Sequence, residues 1–136
     1  MNIMLKTKEI IILQKENTRY SSGGLFSFSI IVYFSKDNKH KIDFENEKDR
    51  DEMFQTLSSL MSKNTVTINE MVINLEKVIN IEKSDTFPRI KFSFETSSVY
   101  AGFETTTEQD EAYQFITEKV KEFYTIKQLE EGVICF

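Results

Sequence analysis

A chain of 136 residues and 16.0 kDa is one domain's worth of protein, large enough to bury a core and too small for two conventional domains. With 40% hydrophobic and 29% charged residues it excludes wholesale disorder and a fibrous protein, and one Cys with one His is too few for a structural zinc site or an intrachain disulfide. The net charge of −5 is uneven: residues 1–64 carry 10 Lys/Arg against 9 Asp/Glu, residues 65–136 carry 7 against 13, and such an acidic half repels nucleic-acid backbones and anionic membranes.

The chain opens with Asn2, Lys6 and Lys8 among apolar residues, and the apolar run Ile10 to Leu13 is too short for a signal-peptide core or a membrane span. A cytoplasmic protein is expected, and a lone thiol at Cys135 fits a reducing compartment. Short strands are predicted around Ile3 to Leu5 and Lys8 to Leu13. Ser21-Ser22-Gly23-Gly24 then reads as an enlarged loop, and Arg19 and Tyr20 beside it form a candidate partner-binding surface, both being residue types favoured at interface centres. Phe26, Phe28, Ile30, Val32 and Phe34 alternate with Ser27, Ser29, Ile31, Tyr33 and Ser35, the pattern of a half-buried strand. His40 falls in a lysine-rich turn over residues 35–41, where it is expected to be an exposed turn residue and not a base or a metal ligand.

Asn46 and Asp49 mark a helix start, and Met53, Phe54, Leu57, Leu60 and Met61 form one apolar stripe. Further on, Glu70 to Lys83 reads as two short strands with a turn near Glu76-Lys77, and Ile90, Phe92 and Phe94 alternate with Lys91, Ser93 and Glu95. Thr106 and Gln109 have the spacing of a capping box, and Ala112, Tyr113, Ile116, Val120 and Phe123 form the second stripe. Eight acids between Glu104 and Glu131 face three lysines. Of these, Glu108, Glu111, Glu118 and Glu122 are candidate partner-binding residues for a basic surface, although a solvated helix face that keeps the protein soluble is the favoured explanation. The end, Val133 to Phe136, is an apolar tip that docks on the sheet or on another chain.

The two halves match each other. Ile10 to Lys15 align with Val78 to Lys83 at an offset of 68, Ile30, Val32 and Phe34 with Ile90, Phe92 and Phe94 at 60, and Phe44 through Leu57 with Phe103 through Ile116 at 59. The fold class is therefore expected to be α+β: two tandem units of three to four antiparallel strands followed by one amphipathic helix, sharing one core. The expected units are residues 1–64 and 65–124, with a tail at 125–136.

The stretch Ile73 to Lys83, followed by Ile90-Lys91-Phe92-Ser93-Phe94, Val99-Tyr100 and Phe103-Glu104 before an acidic-capped helix, resembles the end of PH- and GRAM-like domains. It is also similar to small proteins of phages and mobile elements in AT-rich genomes. The resemblance implies a binding scaffold without chemistry, and phosphoinositide recognition does not carry over because the basic pocket is missing. Ser22-Gly23-Gly24 lacks the Lys and Ser/Thr of a P-loop, and the adjacent acids Asp51-Glu52 and Asp110-Glu111 diverge around their helices. No catalytic residue, cofactor or metal is expected. The expectation is a non-enzymatic binding module whose partner is another protein or a second copy of itself, without direct nucleic-acid or membrane binding. A phage or mobile-element inhibitor of a host factor is its specific form; a small-ligand binder and a virion or assembly component are the alternatives.

Overall fold

The computed structural model describes residues 6–19, 26–35 and 37–131. The fold is α+β, with a five-stranded and a three-stranded antiparallel sheet and two α-helices. The chain divides into two compact units, Met1–Lys77 and Val78–Phe136.

In the first unit, β1 (Ile12–Arg19), β2 (Phe26–Tyr33) and β3 (Lys39–Phe44) form an antiparallel meander that leads into α1 (Glu47–Leu60). Alternation in β2 sends Ile30 and Val32 toward the core, where they join Ile10, Leu13, Val72 and the helix residues Phe54 and Leu57, with Met61 just past the helix end. On the other side of β2, Ser29 is buried because its hydroxyl donates to Asp43 Oδ1 at 2.8 Å. Helix α1 starts where the Asn46 side chain accepts the Asp49 N–H at 2.8 Å. Its buried arc is Arg50, Phe54 and Leu57, narrower than the predicted stripe: Met53 and Leu60 are exposed. They lie about 100° of helix rotation from Phe54 and Met61 respectively, which turns them off the sheet.

After α1 come β4 (Thr65–Ile68) and β5 (Met71–Asn74), a hairpin that adds to β1 and gives the order β3-β2-β1-β5-β4. Two corrections follow. The first sheet has five strands where three to four were expected, and the segment 65–77, read from sequence as the start of the second unit, belongs to the first. The two strands of 70–83 also part company, β5 pairing with β1 and the next strand with its successor. The β4–β5 turn is Asn69-Glu70, both at positive φ (50° and 38°), the two-residue hairpin geometry that twists with the strands. Without a Gly it left no turn signal. At the start, Lys8 lies in a 3₁₀ turn, Thr7–Glu9, in place of the predicted strand, and Ile3 to Leu5 lie outside the described residues.

In the second unit, β6 (Asn80–Lys83), β7 (Arg89–Ser93) and β8 (Ser98–Gly102) form a meander followed by α2 (Thr106–Glu131). Ile90, Phe92 and Ala101 of the sheet are buried, as is Ile116 of α2.

The pairings of the two meanders coincide at the offsets read from sequence. Leu13 pairs with Val32 and Ile81 with Phe92; Ile30 pairs with Ile42 and Ile90 with Ala101. The loop lengths differ, but the register, which decides which side chains face the helix, is the same.

Candidate functional site

The elements of the second unit place a groove between β6 and α2. Its N-terminal end is fixed by the first turn of α2. Thr105 Oγ1 accepts the Glu108 N–H at 3.1 Å, and Glu108 Oε2 accepts the Glu104 N–H at 3.2 Å. This reciprocal cap sits one residue before the predicted Thr106–Gln109 pair. Gln109 cannot cap because it is buried against the sheet, where its amide donates to the carbonyls of Ser84 at 2.9 Å, Arg89 at 2.8 Å and Phe87 at 3.4 Å. The next residue, Asp110, meets Lys83 of β6: Nζ and Oδ1 are 2.9 Å apart, and Nζ lies 5.4 Å from the Tyr113 ring centroid. The hydrogen bond that Lys83 donates to the Asp110 carboxylate, and the negative charge of that carboxylate, hold the Lys83 ammonium above the usual lysine pKa. At the far end the Tyr124 hydroxyl donates to the Val78 carbonyl at 3.2 Å.

Helix α2 thus runs antiparallel to β6 and is tied to it at both ends. Between the ties lies a groove of about 280 Å³, lined by Val78, Ile79, Asn80 and Ile81 on the strand side and Thr117, Val120, Lys121 and Tyr124 on the helix side. Among the described residues β6 pairs with β7 alone, so its other edge is open. Ile79 is 69% exposed beside that edge.

Of the sequence-predicted site residues, Glu108, Glu111, Glu118 and Glu122 are all exposed on α2, the helix that forms one wall of the groove. Glu108 is engaged in the cap, and Glu118 Oε1 accepts from Gln114 Nε2 at 3.4 Å. Arg19 closes β1 opposite Phe26, in the other unit, and Tyr20 and the Ser21–Gly24 loop lie outside the described residues, as does Cys135. His40 is exposed as expected but belongs to β3, not to a turn, opposite Val32 and with its ring edge-on to Phe34 at 5.9 Å.

Sequence reasoning missed a second surface. On β7 the Arg89 guanidinium lies 4.3 Å from the Tyr100 ring and 5.4 Å from the Phe87 ring, both rings being largely exposed. Its Nε is buried with no hydrogen-bond acceptor among the described residues. Only the strand alternation of Arg89, Lys91 and Ser93 could have signalled that face. A larger depression, about 830 Å³, lies on α1, but its described lining of Glu47, Lys48, Asp51, Glu52, Gln55 and Thr56 comes from one helix.

No helix among the described residues is long and apolar enough to cross a membrane, and no group of three or more His, Cys, Asp or Glu residues there is placed to hold a metal ion. No protein family, curated protein or solved structure matches the chain.

Proposed function

We propose that the protein is a non-enzymatic protein-binding module and that the groove between β6 and α2 receives a segment of its partner. One observation carries this reading: a trough lined by Val78, Ile79, Ile81, Val120 and Tyr124, with Asn80, Thr117 and Lys121 among them, lies beside a strand edge that is unpaired among the described residues. Apolar side chains in such a place are unfavourable in water and favourable under a partner's side chains. The trough is shallow and at the low end of small-molecule pockets, which favours a chain segment over an enclosed ligand. The acids Glu111, Glu118 and Glu122 lie about a third of a turn or more round α2 from the groove-lining Thr117, Val120, Lys121 and Tyr124, and offer a separate exposed face to a basic partner surface. In its specific form the protein works in the cytoplasm as a phage or mobile-element accessory that occupies a host factor, consistent with the PH- and GRAM-like resemblance. The virion or assembly alternative rests on Val133 to Phe136, outside the described residues.

Selection of random twelve-residue peptides on the immobilised full chain tests the proposal. Enriched peptides carrying apolar residues, weakened about tenfold by Ile79→Asp at the exposed rim of the groove, are expected. Failure to enrich any peptide, or turnover of a phosphoester, ester or nucleotide panel, overturns it.

The buried Arg89 Nε, without an acceptor among the described residues, supports a second reading, a small-ligand binder that takes a carboxylate or phosphate between Phe87 and Tyr100. Thermal shifts with a panel of such anions, abolished by Arg89→Met, would establish it; no shift would eliminate it.

A further inference from the structure

The residues that line the groove are the counterparts of residues that the first unit buries. At the offsets of 68 and 59, Val78, Ile79, Ile81 and Val120 correspond to Ile10, Ile11, Leu13 and Met61. Ile11 is 7% exposed where Ile79 is 69%; Leu13 and Met61 are buried where Ile81 and Val120 are half-buried. In the first unit Ile10, Leu13 and Met61 belong to one core cluster with Val72, a residue of β5. Strand β5 pairs antiparallel with β1: Leu13 lies opposite Val72, the Asn74 N–H donates to the Ile11 carbonyl at 2.9 Å, and the Lys15 N–H donates to the Glu70 carbonyl at 3.0 Å. Nothing among the described residues plays the part of β5 beside β6.

We infer that β6 is a docking edge for an added antiparallel strand from a partner protein, in the register that β5 takes on β1. This deepens the proposed function and rests on it. The alternation of an antiparallel pair fixes which groups are offered. The Ser84 N–H turns inward to the Arg89 carbonyl at 3.1 Å, so Asn80 and Glu82 also face β7, while the main chain of Ile81 and Lys83 faces outward, as that of Leu13 and Lys15 does toward β5. The incoming strand sets one apolar side chain opposite Ile81, where it enters the groove as Val72 enters the first core. Glu82, exposed on the strand itself, suits a basic residue on the flank of the incoming strand. Four residues of edge limit the contact to one such side chain and its neighbours.

The probe is a synthetic peptide that copies β5, Lys-Glu-Met-Val-Ile-Asn-Leu-Lys, added to the full chain. Saturable binding is expected, with hydrogen-exchange protection of the Ile81 and Lys83 amides. N-methylation of the peptide's Val or Asn, whose N–H groups face the edge, weakens binding about tenfold or more, whereas N-methylation of its Met or Ile changes it less than about threefold. The protein is unaltered throughout, so misfolding cannot mimic the result. Binding that ignores the methylation pattern, or that protects β3, β4 or β8 instead, overturns the edge and its register while leaving a protein-binding module standing. Absence of binding by this peptide, when selected random peptides do bind, overturns the register in the same way; absence of both overturns the module as well. Protection of Ile81 and Lys83 that grows with protein concentration and without peptide overturns the partner assignment in favour of a second copy of the chain.

Discussion

Lys83 and Asp110, 2.9 Å apart across β6 and α2, are the counterparts of Lys15 and Asp51, which lie 3.7 Å apart across β1 and α1. In both pairs the ammonium also rides over an aromatic ring, Tyr113 at 5.4 Å and Phe54 at 5.0 Å. The link ties the second turn of each helix to the first strand of its own meander, so each unit carries the same internal device.

Asp110→Asn removes the cause of the raised Lys83 pKa, which falls toward the ordinary lysine value in a titration followed by NMR. A raised pKa in the folded state stabilises the fold fully below the unfolded value and ceases to do so as pH climbs through the folded one. The stability difference between wild type and Asp110→Asn is therefore level from neutral pH upward until lysine titrates, and then disappears. Urea denaturation at neutral and strongly alkaline pH checks this.

Arg50 is buried, with Nη1 donating to the Glu16 carbonyl at 3.1 Å and to Asn17 Oδ1, and Nε to Asp51 Oδ1 at 2.8 Å. Its counterpart is Gln109, which reaches the carbonyl of Ser84 as Arg50 reaches that of Glu16. Arg50→Leu leaves those acceptors unpaired and costs about 3 kcal/mol. Arg50→Gln, which keeps an amide donor in reach, costs roughly half as much. Chemical denaturation of the two variants, with unchanged m-values, measures the difference.

Gln109→Glu points a carboxylate at the carbonyls of Ser84, Phe87 and Arg89, which need a donor. The loss is about 2 to 3 kcal/mol at neutral pH. Burial among carbonyl oxygens raises the new carboxyl's pKa above its unfolded value, so the variant regains stability as pH falls through that raised value. Thermal melts of variant and wild type at pH 7 and pH 5 should converge at the lower pH.

Glu70→Gly removes a side chain from a left-handed position, φ 38°, in the β4–β5 turn. A gain of about 1 kcal/mol is expected, since a Cβ in that region is strained and the Lys15 bond uses only the main chain of residue 70. An increase in the urea midpoint without a change of slope is the readout.

The strands that alternate cleanly were legible in the sequence. Ile30, Val32, Ile90 and Phe92 are all buried where their spacing places them, because one solvated face forces alternation. Asn46 was legible as a cap, since a short polar side chain before a run of acids has few other uses. The cap of α2 was read one residue late because Gln109 satisfies the spacing rule and is drawn instead to three carbonyls of a distant loop. Strand β4 escaped notice: four residues, Thr65–Ile68, joined by Asn69-Glu70, carry neither length nor glycine to announce a hairpin. The groove was invisible for a different reason. Apolar character at Ile79, Ile81 and Val120 suggests core, and only the pairing of β5 with β1 reveals that the corresponding place in the second unit is vacant among the described residues.

The five-stranded order also sets a kinetic course. Ile12 must find Ile73 across about sixty residues before β5 can close on β1, whereas every pairing in the second sheet joins consecutive strands. Short-range hairpins form before such distant partners meet, because closing a long loop exacts its entropy in advance of any reward. On refolding, the amides of β7 are protected from exchange early, and the Asn74 and Lys15 amides that bridge β5 and β1 last.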